Sequence, residues 1–184
     1  MFNRSKGSNS PPVSTVTPID EDEQSKIADE IKQQAAAQSQ TLRTIFHYIF
    51  LVVVLILFIC LLYSIFSPWE MQHQQVFQGI VPIYGFFAYY GGSMYCYGIS
   101  AMIVKTNVRV SALLLNTAYF VCALSIVMWG VVFCSYGVNN PVLFWLPLGN
   151  IAGILLAHYV EKDTNDMVTS AEGLEQYKYS FKGV

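Results

Sequence analysis

Of the 184 residues, 54% are apolar and only 12% are charged, about half the charged share of an ordinary soluble domain. The 10 basic and 12 acidic side chains leave a net charge of −2, with no basic excess to hold nucleic acid. The charges are also segregated: none falls between Thr44 and Trp69, Met71 and Val104, or Val110 and Val160, and a bilayer-spanning helix needs about 20 such residues.

Residues 1–19 are rich in Ser, Asn, Pro and Thr and read as a disordered tail, with Ser10-Pro11 and Thr17-Pro18 as candidate phosphorylation sites. Asp20 and Glu23 have the spacing of an acidic helix start. From 20 to 43 the chain favours helix, with Ile27, Ile31 and Ala35 on one face and no Gly or Pro. This segment leads into a first span over 44–67, a retained signal-anchor rather than a cleaved signal. That span is built almost wholly of large aliphatic and aromatic residues, so much of its circumference is expected to face lipid.

A short loop with Pro68, Trp69 and His73 precedes the second span, 77–104. Here glycines and tyrosines crowd together, and Ala88, Gly92, Cys96 and Ser100 recur every fourth residue as a thin stripe. Gly85, Ala88 and Gly91 form another thin row. Small residues let helix backbones approach closely in lipid, where burying apolar surface gains little. The second span therefore reads as the hub of a bundle.

The Lys105–Arg109 turn leads to a third span, 108–135. Gly137, Asn139, Asn140 and Pro141 then break the apolar run before a fourth, 141–160. In the fourth, Pro147 is expected to kink the helix, and Gly149, Gly153 and Ala157 form a second close-packing stripe. Residues 161–184 read as a polar tail. All ten basic residues lie before the first span, between the second and third, or after the fourth, which places both termini in the cytosol. Trp69, Trp129 and Trp145 fall at the opposite ends of their spans, the expected position of interfacial anchors.

Within the spans the polar residues are few. Counted along each helix at about 1.5 Å per residue, Asn116 and Asn150 lie at similar depth, and both are expected to point inward. They would meet each other or a tyrosine, for about 1 kcal/mol of interhelical hydrogen bonding. His47 and His158 sit one turn inside the cytosolic ends of the first and fourth spans, where two imidazoles at one depth could bind haem or a metal, or titrate, although interfacial packing beside Tyr48 and Tyr159 is the commoner role. Cys60, Cys96, Cys122 and Cys134 have no metal-ligand spacing and read as small apolar residues. No nucleophile–base signature or phosphate-cradling loop occurs, and the uncharged spans argue against an ion pump.

The fold class expected is thus all-α: a polytopic antiparallel bundle of four transmembrane helices in a eukaryotic endomembrane or plasma membrane. In span count and orientation it is similar to the MARVEL-like tetraspan proteins, although no motif carries a family assignment. The function expected is a non-enzymatic accessory or scaffold without a cofactor or nucleic-acid partner. It would associate with the lipid bilayer and with another membrane protein or a second copy of itself. The alternative is a small carrier for a hydrophobic or weakly polar solute, with a pocket lined by Tyr84, Tyr89, Asn116 and Asn150.

Overall fold

Local chemistry sets where the helices start and stop in the computed structural model, which describes residues 21–105, 110–137 and 141–180. Those residues are helical or in turns, with no strand. Helix α1, Glu21–Phe66, runs unbroken for 46 residues, about 70 Å at 1.5 Å per residue. It ends at Ser67-Pro68, because a residue before proline is steered away from the helical region. The expected cap at Asp20 and the expected disorder of 1–19 lie outside the described residues.

Between Ser67 and Pro82 the chain turns back through left-handed positions at Trp69 (φ 70) and Gly79 (φ 81). The short helix α2, Gln72–Gln75, lies between them. The second helix does not begin at residue 77 as the hydropathy suggested. Pro82 occupies the N-cap with an extended ψ of 147, and α3 covers Ile83–Val104. Residues 77–82 instead fold over the end of the helices, with Phe77 fully buried.

Helix α4, Ala112–Tyr136, is capped at both ends. The Leu114 amide donates to Ser111 Oγ at 3.3 Å, and Gly137 closes the far end in the left-handed conformation with φ 62. A 3-10 turn, Pro141–Phe144, then leads into α5, Trp145–Ser180. The expected kink at Pro147 is not needed. Pro147 lies in the first turn of α5, where the missing N–H would have had no partner in any case. The polar stretch after Glu161, expected as a tail, is a continuation of α5 through Ser180.

Helices α3 and α5 run parallel and pack side by side in the centre, with Tyr89 near Trp145 and Tyr97 near Gly149. Helices α1 and α4 flank this pair and run antiparallel to it. His47 meets the Ala101 carbonyl across α1 and α3, and Cys96 meets Ala118 across α3 and α4. One buried cluster, around Phe50, Cys96, Cys122 and Ile154, fills the half nearer the chain ends (the tail end). A second, around Phe86, Tyr90, Trp129 and Leu146, fills the half nearer the 67–82 loop (the loop end).

Two helices, α1 and α4, are long and apolar enough to cross a membrane. They are also barely covered by protein: only 17% of the apolar stretch of α1 and 28% of that of α4 are buried. Beyond the apolar zone α1 and α5 stay together as a polar antiparallel pair. Ser39 Oγ donates to the Thr164 carbonyl at 3.4 Å, and Arg43 Nη2 donates to Asn165 Oδ1 at 2.7 Å.

Candidate functional site

The four-residue stripe on α3 faces α4 and opens gradually along its length. At the tail end, Ser100 is buried and turns its hydroxyl onto its own Cys96 carbonyl at 3.0 Å. Next, Cys96 Sγ lies 3.7 Å from the Ala118 carbonyl and 3.8 Å from Cys122 Sγ. At Gly92 a Cβ would stand 3.0 Å from Val121 Cγ1, so α4 crosses closely there. Ala88, one turn further, is exposed. Gly91 faces outward as well, with nothing within 4 Å of its Cβ position, whereas a Cβ on Gly85 would stand 2.8 Å from Val81 Cγ1.

The second stripe is covered from within the chain. Tyr97 of α3 lies across α5, and its hydroxyl donates to the Gly149 carbonyl at 2.9 Å. A Cβ on Gly153 would stand 2.6 Å from Tyr97 Cε1, and Ala157 is fully buried. The glycines leave the width of one aromatic ring between the two central helices. Among so many tyrosines, no local signal in the sequence singles out Tyr97.

Where α3 and α4 diverge they leave a cleft of about 80 Å³, lined by Ala88, Tyr89, Gly92, Val121, Leu124, Ser125, Met128 and Asn150. Asn150 reaches it from α5, is 1% exposed, and has no hydrogen-bond partner on Oδ1. Ser125 instead donates to the Leu146 carbonyl at 3.4 Å. The expectation that Asn116 points inward is corrected: Asn116 is exposed on α4. A 3.6-residue turn carries depth but not direction, and Asn116 lies on the outer side of its helix, two residues before the buried Ala118. Tyr84 is likewise exposed, so of the four residues proposed for a shared pocket only Tyr89 and Asn150 meet.

At the loop end a polar cluster is buried under α2. Tyr90 OH lies 2.6 Å from His73 Nε2 and accepts from Gln74 Nε2 at 3.2 Å. Gln74 Nε2 also donates to Ser64 Oγ at 2.5 Å. Gln74, Ser64 and Tyr90 are all fully buried, and Gln74 Oε1 has no partner. His73 is wedged among Phe86, Tyr90 and Trp145, and this burial lowers its pKa from the ordinary 6.5. Sequence reading missed Gln74 and Ser64 because nothing local distinguishes a loop amide that folds inward from one that faces water.

Trp129 is also corrected. Rather than anchoring at an interface it is fully buried, packed against Phe77, Phe86 and Tyr89. Trp145, at 40% exposed, does lie at the surface.

No protein-family model, curated protein or solved structure matches this chain. Its remaining candidates are accounted for by contacts within the molecule. His47 Nδ1 lies 3.0 Å from the Ala101 carbonyl, whereas His158 stacks on Tyr119 and lies 3.4 Å from Glu161. The two imidazoles thus attend to different neighbours. Among the described residues no group of three or more His, Cys, Asp and Glu is placed to hold a metal ion.

Proposed function

We propose that this chain is a four-span integral membrane protein with both tails in the cytosol, acting as a non-enzymatic accessory or scaffold through lateral packing. The observation that carries the reading is the inverted relation between hydropathy and burial. A core helix of a soluble protein is apolar because protein covers it. Here α1 and α4, the two helices apolar enough to cross a membrane, are mostly uncovered. Val52, Leu55, Ile56 and Ile59 on α1 and Phe120, Leu124, Val127 and Val131 on α4 are all exposed. A continuous apolar surface of this kind is stable against lipid and is an aggregation hazard in water.

The remaining two spans are α3 and the first half of α5. Neither carries a charged residue before Lys105 or Glu161. Glycines and tyrosines lower the hydropathy of both, and among them Tyr89, Tyr90, Tyr97, Gly92 and Gly153 pack the centre of the molecule. Arg43, Lys105 and Lys162 lie toward the same end, in keeping with the cytosolic orientation.

The scaffold reading is favoured over the carrier by the small size of the cleft within the apolar zone, the larger grooves of about 290–700 Å³ lying at the tail end beside Ile31, Arg43, Lys105 and Asn165. Drug-sized ligands occupy pockets of about 300–1,000 Å³, whereas the cleft at Asn150 holds about 80 Å³. What remains for recognition is the outer apolar girdle and the paired helices beyond it. Cross-linking in native membranes, followed by purification, tests the reading. A complex of fixed stoichiometry containing a second integral membrane protein or a second copy is expected. A chain that stays monomeric after efficient cross-linking, and that catalyses solute flux in vesicles, would replace the scaffold with the carrier.

A further inference from the structure

The cleft between α3 and α4 combines three properties of a ligand site. Its walls are apolar, formed by Tyr89 and Gly92 on one side and Val121, Leu124 and Met128 on the other. Its mouth, between the exposed Ala88 and Leu124, opens sideways from the bundle. Its floor is the side chain of Asn150, 1% exposed, whose Oδ1 lacks a partner. Buried polar groups are almost always hydrogen-bonded, so an enclosed carboxamide oxygen without a partner, on a residue that lines an apolar slot, marks a place for a donor.

The shape and setting narrow the donor. A volume of about 80 Å³ is roughly half that of a cavity known to take one benzene ring, so a fused ring system does not fit, while the width of one alkyl chain does. No charged residue lines the cleft, so an ionic headgroup would enter unpaired, at a prohibitive desolvation cost. Asn150 lies five residues into α5 from Trp145, about 8 Å along the helix, a depth an uncharged headgroup reaches more readily than a charged one.

On the membrane-spanning reading above, we propose that this cleft binds an uncharged lipid alcohol. One chain lies between α3 and α4, and the hydroxyl donates to Asn150 Oδ1. The small residues of α3 then have a second purpose. Gly92 keeps the slot narrow at its tail end by letting Val121 approach, and Ala88 keeps the mouth open.

The test uses the full-length protein in phosphatidylcholine vesicles with a diazirine-bearing long-chain alcohol and, in parallel, its methyl ether. The ether has the same chain but cannot donate. Labelling by the alcohol should concentrate on the α4 wall, at Val121, Leu124 and Met128, about fivefold or more above the ether, as expected for one hydrogen bond. Asn150→Leu should bring the alcohol down to the ether's level. Ala88→Leu, at an exposed position that leaves the core untouched, should reduce labelling of that wall by both probes and guards against a folding defect in the Asn150 variant.

Equal labelling by alcohol and ether, or undiminished alcohol labelling in Asn150→Leu, would overturn the proposal, leaving a water-filled notch or a contact for a partner helix. Failure of the protein to resist alkaline extraction from the vesicles would instead overturn the membrane-spanning reading. The two failures are therefore distinguishable.

Discussion

Tyr97 lies flat across Gly153, so close that a single added methyl on the glycine would stand 2.6 Å from the ring. The same tyrosine donates to the Gly149 carbonyl at 2.9 Å. One side chain of α3 thus uses two glycines of α5, one for space and one for a hydrogen bond. The interval between the central helices is set by a ring thickness rather than by interdigitated aliphatic chains.

Gly153→Ala is therefore expected to destabilise the protein by about 1–3 kcal/mol, the usual cost of overpacking a fitted interface. Tyr97→Phe, which keeps the ring and loses the hydrogen bond, should cost about 0.6 kcal/mol, the average for such bonds between membrane helices. The control is Val52→Leu, on the exposed face of α1. Val53 is unsuitable for this purpose because it packs against the buried cluster around Trp129. Thermal unfolding in detergent should rank Gly153→Ala below Tyr97→Phe and leave Val52→Leu at the wild-type value. Combining Gly153→Ala with Tyr97→Leu should cost less than the sum of the two, because the second change removes the ring that the first one strikes.

Orientation is tested with single cysteines introduced after Cys134, the exposed native thiol, has been changed to Ser. A cysteine at Gln78, exposed at the loop end, should react with an impermeant maleimide from the lumenal or extracellular face. One at Lys105, exposed at the tail end, should react only after permeabilisation. Reaction of both from the same face would rule out four spans.

His73 provides a pH dependence whose sign follows from its burial. Its folded-state pKa lies below the ordinary 6.5, so the unfolded chain takes up a proton more readily than the folded one. Stability is then full above pH 6.5 and falls as the pH is lowered through that value toward the depressed one. Thermal midpoints of wild-type protein should decrease over this range more steeply than those of His73→Gln, which cannot titrate. Parallel curves for the two proteins would show that His73 is not held neutral by its contacts with Tyr90, Phe86 and Trp145.

The paired extensions of α1 and α5 can be opened separately from the apolar part. Ala28 and Ala171 are both buried at these extensions. Replacing either with Glu places a carboxylate in the seam, an expected loss of about 1–3 kcal/mol locally. Amide exchange should accelerate in residues 23–40 and 161–173 of Ala28→Glu and Ala171→Glu and stay unchanged around Tyr97 and Gly153. Unchanged exchange in both extensions would mean that Ser39, Arg43, Thr164 and Asn165 hold the pair without help from the apolar seam.

Taken alone, the sequence determined which parts of the chain carry no charge: 44–69, 71–104 and 110–160 hold no Asp, Glu, Lys or Arg. It also marked Gly92, Cys96, Ser100, Gly149, Gly153 and Ala157 as positions where bulk is withheld, because helical periodicity is a local property. Only the tertiary structure decided what fills the space so left: Tyr97 over one stripe, Val121 and Cys122 against the other, and an open cleft where Ala88 escapes contact. Asn116 and Asn150 show why. Both are amides at similar depth in apolar helices, yet one faces outward and the other ends at the floor of a cleft. Depth along a helix is written in residue number, whereas the direction of a side chain depends on how each helix is rotated against its neighbours, and that rotation is settled by the packing of all of them together.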